Sequence, residues 1–150
     1  MAVISGVKLH DQKLTEHFAL WEFAHQSGKE LYIDHEFLYN FVPALEDFRK
    51  WYKRPINITS CYRPPEYNKA VGGSPDSAHL HARAVDFPYP SEYYTMTKKR
   101  KEQFLQNVKA KWVELCHQRS RYAQVNFYGN RFHLGMSIKR DNFIDYRGKK

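Results

Sequence analysis

Cysteine is scarce: Cys61 and Cys116 are the only two in 150 residues, and no C-x-x-C pair occurs. Two cysteines cannot build a disulfide framework, and neither sits in a zinc-finger spacing, so each reads as a small buried hydrophobe. That usage fits synthesis in the cytoplasm. Long apolar runs are also missing. No segment approaches the roughly 20 residues that span a bilayer, which excludes a transmembrane helix. The short apolar stretch at the start has no basic region before it and no cleavage-like site after it, so it does not read as a signal peptide. Seven glycines and seven prolines are scattered without forming a linker, and no repeat or low-complexity tract is visible. Arginine-glycine repeats and RNP-like aromatic motifs are absent as well, so charge alone points towards nucleic acid and no specific binding of it is expected.

What is present suits a packed globular chain. Hydrophobic residues make up 42% and aromatics 16%, and a chain of this length forms one domain, 1–150, that buries about two-thirds of its unfolded surface. The formal charge of +8 gives affinity for a polyanion, either nucleic acid or a polymer of the cell envelope. Its basic residues gather in KKRK (98–101), RSR (119–121) and the tail RGKK (147–150). Each run also suits an ordinary solvated helix start or chain end.

Apolar spacing predicts the elements. A short helix follows Thr15, and a stronger one runs over 34–52, with Asp34 as its N-cap and Pro43 forcing a kink or break. Ile56 and Ile58 alternate with polar residues in INITS, which predicts a strand over 56–60. A helix opens at PPEYNKA (64–70) and ends at Val71-Gly72-Gly73, and Ala84–Phe87 is a short strand. Residues 97–117 form a long amphipathic helix. Two strands near 123–128 and 131–138 flank a Gly129-Asn130 turn, a hairpin signal. The class is α+β, with helices packed on a small, mostly antiparallel sheet.

Within GGSPDSAHLHARAVDF (72–87), two histidines and an aspartate stand close together. Strand alternation turns Val85 and Phe87 to the core and Asp86 to the other side. On the late strand Phe132 and Leu134 share one face, and Arg131 and His133 the other. Two such strands can bring Asp86 and His133 to one point, with His79 delivered from the preceding loop. Two imidazoles, a carboxylate and a fourth position left to water describe a catalytic zinc site. The same pattern also suits a satisfied loop histidine, a capping aspartate and an exposed strand histidine, and periodicity alone favours that plainer reading.

The segment SAHLHARAVD resembles the zinc-site signature of the D-alanyl-D-alanine carboxypeptidase family of metallopeptidases, which includes phage endolysins and the dipeptidases of vancomycin resistance: Ser-x-His, six residues, then Asp. Upstream, ITSCYRPPEYNKAVGG is similar to the family's Ser-Gly-Tyr-Arg segment and the Gly-Gly turn after it, and RFHLGM to the strand that carries the third ligand. The resemblance spans about residues 15–138, with the pieces in the family's order. It implies a Hedgehog/DD-peptidase-like fold, one zinc ion, and His79, Asp86 and His133 as its ligands. Arg63 is implied as the fork on the substrate carbonyl or carboxylate, and Ser77 as a support of the loop that also contacts substrate. His81, two residues after His79, is a candidate for proton transfer.

Three positions depart from that pattern. Cys61 and Ala82 replace glycines, and both are small enough for packing to absorb. Asn130 stands three residues before His133, where the family carries an acidic general base, and no acidic residue occurs from Leu115 to Arg140. An amide cannot take a proton from water, and such a base contributes about 10²–10⁴-fold. His81, Glu66 and Asp76 are the remaining candidates for it, and if Asn130 marks the base position then Asn130→Asp should raise activity. The expected function is zinc-dependent hydrolysis of peptide bonds in bacterial peptidoglycan, in a phage or prophage setting, at the cell wall or within a virion among its proteins. The alternative is an inactive relative that serves as a virion structural or wall-binding module.

Overall fold

The computed structural model describes residues 2–5, 12–25 and 30–148. Of the basic tail, only Arg147 and Gly148 fall within them. A two-stranded ribbon pairs β1 (Ala2–Ser5) with β2 (Glu30–Ile33), antiparallel. The main sheet has four strands in the order β3 (Ala84–Pro88), β5 (Arg131–Ser137), β4 (Tyr122–Phe127), β6 (Asn142–Asp145). β5 runs antiparallel to both β3 and β4, while β6 lies parallel to β4 at the far edge. The class is α+β.

Helices cover one side of this sheet. The first helical stretch starts after Asp34, whose Oδ1 accepts the Phe37 N–H at 2.8 Å, the N-cap expected from sequence. It widens into a π-helical turn at Phe37–Phe41 and continues as α1 (Val42–Tyr52). Pro43 explains the widening. Lacking an N–H, it cannot serve the Tyr39 carbonyl one turn back. The wider turn passes the Val42 N–H to the Phe37 carbonyl, and Arg119 Nη1 donates to the freed Tyr39 oxygen at 3.2 Å. α2 (Pro65–Ala70) is short, and α3 (Lys98–His117) begins on a Thr97 cap.

Alternation on the strands decides where the core lies. Val85 and Phe87, Val125 and Phe127, and Phe132 and Leu134 are buried together against Phe41, Leu45 and Phe48 of the first helical stretch and Leu105, Val108 and Trp112 of α3. Trp112 packs edge-on against Phe41 and Phe48 and donates its Nε1–H to the Gly135 carbonyl at 2.8 Å, so its one polar atom is satisfied in the core. The opposite side of the sheet is left for polar chemistry.

Two expectations need correction. Residues 56–60 form no strand; only Ser60 bridges to Asp86, with the Asp86 N–H donating to the Ser60 carbonyl and Thr59 N–H to the Asp86 carbonyl, both at 2.9 Å. Ile56 is buried as its alternation suggests, but the chain meets the edge of β3 only at its last residues. The helix expected after Thr15 is a single 3-10 turn, Leu20–Phe23.

Candidate metal centre

Each group of the site is placed by a separate local device. β3 and β5 pair Asp86 directly with His133, and directly paired residues of an antiparallel ladder project on the same side. His79 comes from a 3-10 turn, Ala78–His81, capped by Ser77, whose Oγ accepts the His79 N–H at 3.2 Å. The preceding turn needs both of its glycines. Gly72 holds φ +76°, and a Cβ on Gly73 would fall 2.1 Å from Asn68 Oδ1.

The segment after Ser60 clamps that turn in place. The Cys61 carbonyl accepts His79 Nδ1–H at 2.7 Å, Arg63 N–H donates to the His79 carbonyl at 2.9 Å, and Arg63 Nη2 donates to Ser77 Oγ at 3.3 Å. Tyr62 N–H anchors the clamp to the Phe23 carbonyl at 3.1 Å. With its Nδ1 committed, His79 presents Nε2, which lies 3.3 Å from Asp86 Oδ1. His133 Nδ1 lies 2.9 Å from the same oxygen. The two rings stand 5.1 Å apart, and the three donor atoms fall within 4.8 Å of one another.

Electrostatics prepare these groups to ligate. Burial would raise the Asp86 carboxyl, but its contacts with the His133 and His79 rings more than offset it and hold the group well below the usual carboxylate range. His79 is lowered, chiefly by burial and against the pull of Asp86, so it is neutral with a free lone pair at physiological pH. Two imidazoles and an ionised carboxylate converging from one side are a donor set that fits zinc, with a position open. Among the described residues, no further acidic side chain or cysteine joins them.

The other expected residues are distributed as follows. Arg63 and Ser77 are joined to each other and to His79, and Arg63 Nε is buried with no hydrogen-bond partner among the described residues. His81 is exposed and rests edge-on against Tyr32, apart from the three. Glu66 and Asp76 are exposed, Asp76 beside Ser74. Asn130 lies exposed at the tip of the β4–β5 hairpin, where its Oδ1 accepts from Arg131 Nη1 at 3.3 Å. Packing does not absorb every departure. Ala82 holds φ 54°, a left-handed backbone that costs a residue with a Cβ about 1 kcal/mol, so its burden is conformational.

Sequence reasoning missed the polar residues of β4. Gln124 and Asn126 face the same side as His133, and the signal was available in the alternation of Ala123, Val125 and Phe127 with them. Tyr128 continues the row; burial and then the nearby Asp86 carboxylate raise its phenol, so it stays protonated.

Comparison with known proteins adds an independent finding. A family model described as Peptidase M15 matches residues 16–122, which takes in Arg63, Ser77, His79 and Asp86 and stops before His133. Neither a search of curated proteins nor one of solved structures returned a match. The fold agrees with that family, and the structure supplies the group that lies beyond the matched residues, by pairing His133 with Asp86 on neighbouring strands. With most of its length matched, the chain belongs to the Peptidase M15 family.

Proposed function

We propose that the protein is a zinc-dependent peptidase that hydrolyses peptide bonds of bacterial peptidoglycan. The observation that carries the reading is the convergence of His79 Nε2, Asp86 Oδ1 and His133 Nδ1 on one point beside Arg63. Zinc bound there supplies a Lewis acid and brings the pKa of a coordinated water to about 7. The chain's own residues do the rest. Arg63, braced by Ser77, offers a planar cation to the substrate carbonyl or terminal carboxylate and steadies the oxyanion as it forms. Ser77 holds Arg63 and the His79 turn in one unit and borders the substrate. His81, on the solvent side of that turn, is the candidate for carrying protons to and from bulk water. Basic residues exposed at the start of α3, Lys98, Lys99 and Arg100, suit an anionic envelope as the place of work, at the cell wall or in a phage virion.

Purified protein should contain about one zinc ion and release fragments from peptidoglycan stem peptides. Cleavage should stop with a chelator and return with zinc. Wild-type protein that carries zinc yet cleaves none of several peptidoglycan types would overturn the enzymatic reading.

A second reading is favoured by one specific observation: among the described residues no second carboxylate stands with the three groups, and Asn130 is held in an exposed turn. A family member without a base would be a wall-binding or virion module. Asn130→Asp separates the two readings. In an active enzyme it changes little, because the new carboxylate sits at the hairpin tip and pairs with Arg131. A clear gain of activity from an inert wild type would establish the module.

A further inference from the structure

The side of the sheet that carries Asp86 and His133 also carries Gln124 and Gly135, which pair directly across β4 and β5. Gln124 Oε1 lies 3.4 Å from His133 Nε2, at the outer limit of a hydrogen bond, while Nδ1 of the same ring faces Asp86 Oδ1. Gly135 makes room for this arrangement. A Cβ there would fall 2.5 Å from Gln124 Oε1, 3.2 Å from Gln124 Cβ and 3.3 Å from Ala84 Cβ. Such a contact forces the softest group to move, and that group is the Gln124 amide. The amide is also the part of Gln124 that meets His133.

We propose that Gln124, seated over Gly135, is a positioning residue that makes His133 present Nδ1 to the metal. The inference rests on the reading of His133 as a ligand. A neutral imidazole has one N–H and one lone pair; acceptors face both nitrogens of His133, so a metal that takes the place of the proton between Nδ1 and Asp86 would leave the N–H at Nε2, where Gln124 Oε1 accepts it. The two histidines of the site would thus be set in opposite senses when metal is bound. His79 donates Nδ1–H to the Cys61 backbone carbonyl and presents Nε2, whereas His133, with the metal in place of a proton at Nδ1, would donate Nε2–H to the Gln124 side-chain amide. A backbone carbonyl survives any substitution at Cys61. The amide of Gln124 does not survive substitution, so orientation at His133 depends on residues 124 and 135 together.

Zinc affinity of the full chain, measured by competition with a chromophoric chelator after metal stripping, tests this directly. Gln124→Met keeps the length of the side chain and removes the acceptor; it should weaken zinc binding about 10-fold or more, the range set by loss of an outer hydrogen-bond partner. Gln124→Glu retains an acceptor and should recover most of that loss. Gly135→Ala displaces the amide and should weaken binding by a similar factor. The double variant Gln124→Met with Gly135→Ala should lose little more than either single change, because both remove one contact. Wild-type affinity in Gln124→Met, or equal losses in the Met and Glu variants that follow equal losses of thermal stability, would overturn the proposal. If Gln124→Met fails to fold, Gly135→Ala tests the same contact with Gln124 still in the chain, and wild-type affinity there overturns the proposal. A wild type that takes up no zinc overturns the ligand reading and this inference together; a wild type that binds zinc, with Gln124→Met binding it equally well, overturns this inference alone.

Discussion

At the residue scale, two imidazoles share one carboxylate oxygen, so each of the three groups depends on the other two. His79→Ala or His133→Ala should reduce zinc content from about one ion per chain to none, read by elemental analysis after dialysis. Full occupancy in the double variant would move the site elsewhere. Arg63 makes a different prediction, since its contacts run to Ser77 and to the His79 backbone and its Nε has no partner among the described residues. Arg63→Lys should keep zinc at wild-type content while kcat falls about 10²–10³-fold, because an ammonium is a point charge and cannot present a planar fork. Unchanged turnover per folded molecule would make Arg63 a structural brace. The ligand candidates were legible because alternation and the ordered motif agree at Asp86 and His133. Gln124 was not, because its role depends on which strand lies beside β5, and the sequence does not state strand order.

At the element scale, Glu46 of α1 fastens the stretch that precedes the 3-10 turn. Its carboxylate accepts the His17 backbone N–H at 2.7 Å and meets His17 Nδ1 at 2.6 Å. Burial would raise this carboxyl, but the nearby Thr15 hydroxyl and the hydrogen bonds from His17 outweigh it and hold Glu46 below its ordinary value of 4.5. A depressed carboxylate contributes stability above its unfolded pKa and loses it as pH falls through the folded one. The Leu14–Phe18 stretch should therefore loosen on acidification below about pH 4.5, and hydrogen exchange at Leu14 and Thr15 should rise there; Glu46→Gln should show the same exchange already at pH 7. Exchange unaltered by either change would place the fastening elsewhere. Elements of three or more helical turns, and the hairpin at Gly129-Asn130, could be read from spacing because many residues repeat one period. The four-residue strands β1, β2 and β6 could not, since so few positions do not define alternation. Ile56 and Ile58 alternate as a strand would, but the neighbour they meet extends only to Ser60.

For the whole molecule, both cysteines lie in the packed interior. Burial pushes the Cys61 and Cys116 thiols up, and the Asp86 and Asp141 carboxylates add to it respectively. Native protein should thus show no thiol reactive to a disulfide reagent at pH 8, and unfolded protein two. A reducing agent should leave the melting temperature unchanged. Rapid reaction of one thiol before unfolding would reveal an opening of the core near that residue. The pairing of Asp86 with His133 has a consequence for fidelity of assembly. Slipping β3 by one residue against β5 would turn Asp86 towards the apolar side and leave His133 facing an empty place. An ion that needs both groups binds one register and no other. At a free concentration 100 times its dissociation constant, it favours that register over mispaired chains by about 2.7 kcal/mol. A metal held there would then act as a proofreader of the sheet, rejecting misaligned strands by failing to bind them.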